Sequence, residues 1–324
     1  MILRNIYFSN CWVASGALSF FGEGYWHHDL LRRLVHEFKN VDNCTFVAKT
    51  VTLDSRQGNM PLDKHFQPRE LKPKCIKIKP FKGIVLNSVG LSNPGTIAIL
   101  KTGHWQGITQ PFFISFMAIG YNLIGRLDET KRFVELLAAN LSEFRAPIGL
   151  QINISCPNIQ HNTQELVNEA IKMLQIASEL NIPLDLKANI FLPDRLAQEI
   201  DASGLCDILT LSNTIPYGTE NLGLDWKRLF GETSPLKKYG YGNGGLSGKP
   251  VLPLVLKKIE ELRMAGVTMP IKGSGGILKS ADVYAMKKAG ANAIEIGSVL
   301  MLRPWRVKEI VDRANFLFIG QIYK

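Results

Sequence analysis

The sequence has only five cysteines, and they lie far apart with no CxxC spacing: Cys11, Cys44, Cys75, Cys156 and Cys206. This spacing argues against a disulfide framework, a structural zinc site or an iron–sulfur cluster held by this chain alone. No run of about 18 consecutive apolar residues occurs, so membrane insertion is not expected. The opening residues, MILRNIYFSNCWVASGAL, have the polar pair SN inside their apolar run, which argues against a cleavable signal peptide. We therefore expect a cytoplasmic protein with free thiols and no bound metal.

The net charge is strongly positive, because 38 Lys and Arg residues face 28 Asp and Glu residues, giving +10. Such a balance suggests anionic partners. Much of the excess lies in residues 62–82, for which a solvated hairpin within an insertion is the favoured interpretation and an anion- or partner-facing lid is the alternative. The basic residues of this segment are Lys64, Arg69, Lys72, Lys74, Lys77, Lys79 and Lys82.

Short apolar runs alternate with segments of helical periodicity, which is typical of βα units around a parallel sheet. Helices are predicted from Asp128, Asn162 and Ser280, the last two as possible N-caps. The pattern predicts an α/β fold, a (β/α)₈ TIM barrel with inserted hairpin or loop segments at 53–111 and 214–245, forming a single domain over 1–324. An open doubly wound sheet is the alternative. The predicted strands are 12–18, 46–52, 112–118, 148–154, 184–189, 207–213, 269–274 and 292–298.

Polar residues gather where these strands end, and in a parallel barrel the carboxyl ends of the strands form the active site. Lys49 and Lys187 each fall within an apolar strand, where an unpaired lysine is costly, so both are expected to face an anion or an electron-rich group. The segments GSGGI (273–277) and IGS (296–298) follow the last two strands and suggest a phosphate site. The other candidates are Ser15, Asn153, Cys156, Asn158, Asn189, Asn213 and Thr214.

Cys156 stands between a serine and a proline directly after a predicted strand, in QINISCPNIQ. Alone, a cysteine is more often a buried small apolar residue than a reactive one. Its place at a strand end, beside Asn153 and Asn158, favours a second interpretation, in which the thiol acts as a base.

These segments together resemble the dihydroorotate dehydrogenase family, FMN-containing barrels of the soluble, cysteine-base class. INISCPN resembles the segment carrying that family's base, and NSVGLSN (87–93) is similar to its NSMGLPN. GGLSGKP (244–250) and the two glycine segments resemble its flavin-phosphate region, while VASGAL and AKTVTLDSRQGN resemble its first two strand ends. The chain departs from the family at GNMPLDK (58–64), at the loop IQHNTQ after Asn158, and at Cys11.

The resemblance implies an enzyme of pyrimidine biosynthesis that oxidises dihydroorotate to orotate. Cys156 would take the proton from ring carbon 5, and Lys49 and Lys187 would complete the catalytic set. The implied substrate-binding residues are Lys49, Asn87, Gly90, Leu91, Asn153, Asn158, Asn213 and Thr214. The implied FMN-binding residues are Ala14, Ser15, Gly16, Lys49, Thr50, Asn153, Lys187, Ser212, Gly248, Gly275, Gly276, Gly297 and Ser298.

The resemblance further implies a homodimer and leaves the electron acceptor open between fumarate, a quinone and NAD through a partner subunit. Two other functions compete. One is a flavin oxidoreductase acting on another dihydropyrimidine such as dihydrouracil, for which the family pattern tends to place histidine where this chain has Asn158. The other is a non-enzymatic nucleotide- or nucleic-acid-binding barrel, which the combination of Lys49, Cys156 and Lys187 disfavours. We therefore predict a small-molecule substrate and no nucleic-acid partner.

Overall fold

The structure, a computed structural model, describes residues 1–154 and 163–319. Cys156 and Asn158 lie outside the described residues. Most strands are short, and their bounds in chain order are β1 Ile2–Leu3, β2 Ile6–Tyr7, β3 Cys11–Val13, β4 Thr45–Phe46, β5 Ile76–Lys79, β6 Ile84–Asn87, β7 Phe112–Phe116, β8 Ile148–Asn153, β9 Leu184–Ala188, β10 Ile208–Leu211, β11 Ile215–Pro216, β12 Gly245–Gly248, β13 Ile271–Ser274 and β14 Ala293–Ile296.

The helices separate most of these strands, as the sequence pattern predicts. Their bounds are α1 Trp26–Leu34, α2 Thr96–Leu100, α3 His104–Gly107, α4 Leu123–Asn140, α5 Thr163–Ser178, α6 Asp194–Ser203, α7 Trp226–Phe230, α8 Leu252–Met264, α9 Ser280–Ala289, α10 Ser298–Leu302 and α11 Val307–Leu317. Within the described ranges, no helix is both long enough and apolar enough to cross a bilayer.

Eight parallel strands form the barrel, in the order β4-β3-β14-β13-β10-β9-β8-β7. The chain beyond β4 runs parallel to β7, with bridges from Val47 to Phe113 and from Val51 to Phe116, and this pairing closes the ring. All eight predicted strands are present, so the predicted (β/α)₈ barrel is confirmed and the open doubly wound sheet is wrong. The strands β7 and β8 are buried at every residue, and most of their residues are apolar, as expected for strands covered on both faces.

Side-chain hydrogen bonds to backbone amides determine where α4 and α9 begin, and both starts differ from the prediction. The helix α4 begins at Leu123, before the predicted Asp128, because the Asn122 side chain accepts a hydrogen bond from the Gly125 amide (2.8 Å). Ser280 is the first residue of α9 and not its N-cap. The Asp282 carboxylate, one turn into the helix, accepts hydrogen bonds from the amides of Leu278 and Lys279 and so fixes the start one residue earlier.

The amino-terminal end of the barrel is filled by aromatic rings. Phe8, Trp12 and Phe113 pack against one another with ring centroids 4.8–5.4 Å apart, and all three are buried. The hairpin of β1 and β2 belongs to the same apolar cluster. These apolar side chains therefore close this end of the barrel, opposite the carboxyl ends of the strands.

The two insertions pair with each other. Strands β5 and β6 come from 53–111, β11 comes from 214–245 and β12 begins at the last residue of that segment, and together they form an antiparallel sheet in the order β11-β12-β6-β5. A hairpin was predicted at 62–82. The structure places it later in the chain, from Ile76 to Asn87. Two of its lysines lie against the second insertion, with Lys77 Nζ 4.7 Å from the Tyr239 ring centre and Lys79 Nζ 5.0 Å from that of Phe230.

Candidate active site

Hydroxyl and amide groups from four neighbouring segments meet at the carboxyl end of the barrel. Ser15 and Thr50 share a hydrogen bond of 2.9 Å, and Thr50 shares another of 2.9 Å with Ser115 on β7. The Asn153 side-chain amide, at the end of β8, lies 3.4 Å from the Thr50 hydroxyl. The structure therefore brings together three predicted residues and adds Ser115. A polar residue inside the apolar run FFISFMA was the signal that would have identified it.

Lys49 lies in the extension beyond β4 and not within the regular strand, contrary to the prediction. Its ammonium group donates a hydrogen bond to the Ser92 carbonyl and lies 4.8 Å from the Phe20 ring centre. The side chain is only 6% exposed. Its burial, with no carboxylate partner among residues 1–154 and 163–319, lowers the pKa of Lys49 to about 7. A neighbouring anion would favour the protonated form, so this lysine is suited to receive an anionic ligand.

Lys187 lies within β9, as predicted, but it is not the unpaired lysine that the sequence argument assumed. Its ammonium group is 2.7 Å from a carboxylate oxygen of Glu295 on β14. The two side chains are 6% and 0% exposed. Lys187 is also the strand neighbour of Asn153. The structure thus places a buried cation beside the hydroxyl and amide cluster.

A second buried ion pair lies deeper in the barrel. Lys272 on β13 is 2.8 Å from a carboxylate oxygen of Asp185 and 3.4 Å from Glu295. The Thr210 hydroxyl donates to the same Asp185 carboxylate at 2.7 Å, and Lys272 lies 3.7 Å above the Trp12 ring centre. Sequence reasoning missed Asp185, Lys272 and Glu295, although each is a charged residue inside an apolar strand.

The predicted glycines adopt backbone conformations that exclude side chains. Gly248, Gly275 and Gly276 have φ angles of +100°, +121° and +77°. A Cβ on Gly276 would lie 2.7 Å from the Leu252 amide nitrogen and 2.8 Å from the Gly248 carbonyl oxygen, and one on Gly248 would lie 2.2 Å from the Gly83 carbonyl oxygen. The backbone of the small sheet and that of the loop after β13 therefore lie in close contact, with no room for a side chain at these glycines.

The neighbouring strand ends complete this side of the barrel. The Ala14 amide donates to the Ile296 carbonyl at 2.8 Å, and Ala14 Cβ lies 3.2 Å from where a Cβ on Gly297 would be. Gly16 has a φ of +85° and its carbonyl accepts from the Tyr25 hydroxyl at 2.6 Å. Ser298 is the first residue of α10.

The remaining predicted residues lie where β10 meets the small sheet. The Ser212 amide donates to the Ser274 carbonyl at 2.7 Å, and the Asn213 side chain accepts from the Thr214 amide at 2.8 Å. Thr214 packs against Gly245, which pairs with Asn87 across β12 and β6. Ser212, Asn213, Thr214 and Asn87 therefore form a connected group through Gly245. Asn189 also follows a strand, but its side chain accepts from the Phe191 amide and starts the next turn.

Gly90 and Leu91 both have left-handed backbones, with φ angles of +69° and +58°. Asn93 fixes this loop: its side-chain amide donates to the Leu91 carbonyl at 2.7 Å and to the Thr52 hydroxyl at 2.8 Å. The loop carries the Ser92 carbonyl that accepts from Lys49. The first insertion is thereby tied to the strand end that bears Lys49.

The family model described as dihydroorotate dehydrogenase matches residues 34–316 of the chain. The match covers every barrel strand except β3. The chain belongs to the dihydroorotate dehydrogenase family. The resemblance inferred from the motifs is confirmed, and so is the prediction that the protein is an enzyme.

Curated relatives and a solved structure agree with this membership. A protein from Thermodesulfovibrio yellowstonii is 31% identical over 291 residues, covering 86% of this chain and 82% of that one. One from Desulforamulus reducens is 29% identical over 255 residues, 76% of either chain. Both are described as the catalytic subunit of dihydroorotate dehydrogenase B (NAD(+)). The dihydroorotate dehydrogenase of Eimeria tenella, solved with ferulenol, has a TM-score of 0.65 at 18% identity and covers 96% of this chain and 82% of that one, which supports the fold alone.

Proposed function

We propose that the protein oxidises dihydroorotate to orotate with bound FMN in de novo pyrimidine biosynthesis, as a single barrel domain over 1–324. The observation that carries this proposal is the buried Lys187 ammonium group beside Asn153, within the hydroxyl cluster of a chain that belongs to this family. A cation there would offset the negative charge of a reduced flavin ring.

The residues present fit FMN. Gly248, Gly275 and Gly276 pack closely where β12 meets the loop after β13, and glycine-rich turns of this kind can direct backbone amides towards a phosphate. Gly297 and Ser298 follow the adjacent strand β14, and a phosphate site at the last two strand ends is common in such barrels. The proposed contacts to the ring and ribityl chain are Ala14, Ser15, Gly16, Lys49, Thr50, Asn153, Lys187 and Ser212.

FMN, when bound, supplies the acceptor for the hydride that leaves ring carbon 6 of dihydroorotate. Cys156, three residues beyond the end of β8 in the sequence, is proposed to take the proton from ring carbon 5. The ring edge presents both donors and acceptors, which asparagine side chains match. The proposed substrate contacts are Asn87, Gly90, Leu91, Asn153, Asn158, Asn213 and Thr214.

Lys49 is proposed to bind the substrate carboxylate and to lie beside the flavin. Its buried position, with no carboxylate partner in the part of the chain that the structure describes, supports this role. An incoming carboxylate would satisfy a cation that has only the Ser92 carbonyl and the Phe20 ring among its described contacts. Binding would therefore be coupled to protonation of Lys49 around neutral pH.

The relatives are described as catalytic subunits of an NAD(+)-type enzyme, which supports electron transfer to a partner subunit rather than directly to fumarate or a quinone. A homodimer and a cytoplasmic location remain predictions. Purified chain alone is expected to reduce its flavin with dihydroorotate and yet give no sustained NAD⁺ reduction. Sustained NADH production by the chain alone would contradict the need for a partner.

The test of the reaction begins with the colour of the purified protein. We expect FMN in the supernatant after denaturation, and anaerobic addition of dihydroorotate should bleach the flavin absorbance with one orotate formed per flavin. Absence of flavin would refute the proposal. Bleaching by dihydrouracil but not by dihydroorotate would assign the site to a different dihydropyrimidine.

Replacement of the proposed base is the second part of the test. Cys156→Ala should still bind orotate but reduce the flavin about 10²- to 10⁴-fold more slowly at neutral pH, the usual range for general-base catalysis. Cys44→Ala is the matched control, because Cys44 is a free thiol that contacts the Asn40 carbonyl and the Cys11 thiol. Equal reduction rates in the Cys156 variant and the control would remove Cys156 from the mechanism.

A further inference from the structure

Glu295 is the one carboxylate in contact with both buried lysines of the barrel interior, among the described residues. One carboxylate oxygen accepts from Lys187 at 2.7 Å and from the Ser274 hydroxyl at 3.1 Å. The other lies 3.4 Å from Lys272. The lysine side chains are at most 6% exposed and Glu295 is fully buried, so water does not screen these contacts.

The charges of this group balance. Lys272 also contacts Asp185 at 2.8 Å, so the two cations Lys187 and Lys272 face the two anions Glu295 and Asp185. Burial raises the pKa of the Glu295 carboxyl, but the two lysines outweigh burial and bring it to about 2. Glu295 is therefore ionised throughout the physiological pH range.

The two ends of this group differ in their surroundings. Lys272 and Asp185 lie towards the closed, aromatic-filled end of the barrel, where Lys272 packs on the Trp12 ring. Lys187 lies at the open end, one strand away from Asn153. A ligand at the open end is thus in reach of Lys187, and Glu295 lies behind that cation.

We infer that Glu295 limits the positive charge that Lys187 presents to the flavin and thereby lowers the flavin's reduction potential. This inference rests on the proposed function, because it requires FMN at the open end of the barrel. A cation beside the pyrimidine end stabilises the anionic reduced ring, and a carboxylate behind the cation weakens that effect. Glu295 is a positioning residue, since it acts through Lys187.

The direct test is Glu295→Gln in the flavin-loaded protein. The amide keeps the shape and can still accept from Ser274, but it removes one negative charge next to Lys187. Sulfite binding to the oxidised flavin reports the positive charge near the ring independently of dihydroorotate turnover. We expect sulfite to bind about tenfold more tightly, with a flavin potential about 30 mV more positive, since tenfold equals 29.6 mV for a two-electron couple.

A second variant is expected to change sulfite affinity in the opposite direction. Lys272→Met removes a competing cation, so that Glu295 neutralises Lys187 more completely, and sulfite should bind more weakly than to the unmodified protein.

The outcomes separate the two proposals. Flavin-loaded Glu295→Gln with unchanged or weaker sulfite binding, or shifts of the same sign in the Glu295 and Lys272 variants, would overturn the role of Glu295 alone. Loss of dihydroorotate oxidation in an otherwise flavin-loaded, sulfite-responsive protein would overturn only the assigned substrate. Absence of FMN from the unmodified protein would overturn both.

Discussion

The buried ammonium group of Lys49 should lower the stability of the ligand-free protein. The pKa of Lys49 falls from 10.5 to about 7 on folding. Above about pH 10.5 the lysine is neutral in both states and has no effect on stability. Between pH 10.5 and 7 the unfolded chain binds the extra proton, so stability falls as pH falls, and below pH 7 the full penalty is present.

The size of the penalty follows from the same two values. One pKa unit corresponds to about 1.4 kcal/mol, so the cost at pH 7 is about 4 kcal/mol. Lys49→Met removes it, but the variant also loses a hydrogen bond from a charged group to the Ser92 carbonyl, worth about 1.5–3 kcal/mol. We expect the variant to be about 1–3 kcal/mol more stable at pH 7, at the expense of ligand binding.

The change of this stability advantage with pH is the more specific measurement. The lost hydrogen bond alters the difference in stability between the two pH values less than the titration of Lys49 does. Urea unfolding of flavin-free protein at pH 6 and pH 9 should show the advantage of Lys49→Met shrinking by about 2–3 kcal/mol between the two. The exposed Lys101→Met is the control and should show no such change. An advantage of Lys49→Met that is independent of pH would refute the argument that Lys49 loses its proton readily in the folded protein.

Two further variants test the glycine loop after β13 and a buried ion pair between α4 and α5. Gly276→Ala should lower FMN content by at least about tenfold at limiting FMN while the fold persists, because the new Cβ would lie 2.7 Å from the Leu252 amide nitrogen, as measured by flavin fluorescence after dialysis. Arg126→Ala should cost about 3–5 kcal/mol in urea unfolding, since it leaves Glu169 buried without its 2.6 Å partner; a cost below about 1 kcal/mol would contradict this.

The barrel could be predicted because its signal is local and repeated. Each buried strand is an apolar run of a few residues followed by a turn and an amphipathic helix, and eight such units in order leave few other arrangements. The strand-end residues Ser15 and Asn153 were predicted for the same reason, because strand direction alone sends them to one end of the barrel, whereas Thr50 was named only from the family resemblance. Both residues do lie at that end, where each is within hydrogen-bonding distance of the Thr50 hydroxyl.

The partners of buried charges could not be predicted in the same way. Lys187 and Glu295 are 108 residues apart in sequence, and the contact exists only because β9 and β14 both face the barrel interior. The alternation of charge in LDLKAN, MPIKGS and NAIEIGS marks these residues as unusual, but it does not say which cation meets which anion. The pairing of the two insertions was missed for the same reason, since β6 and β12 find each other across more than 150 residues.

The small sheet has a consequence for how this protein can change over evolution or in the laboratory. Its middle strands, β6 within the first insertion and β12 directly after the second, carry the proposed site residues Asn87 and Gly248 on one shared ladder. A graft that replaced one insertion with that of a relative would leave the other without its hydrogen-bonding partner. The two segments therefore behave as a single exchangeable unit, and altered substrate preference would have to be transplanted with both pieces together.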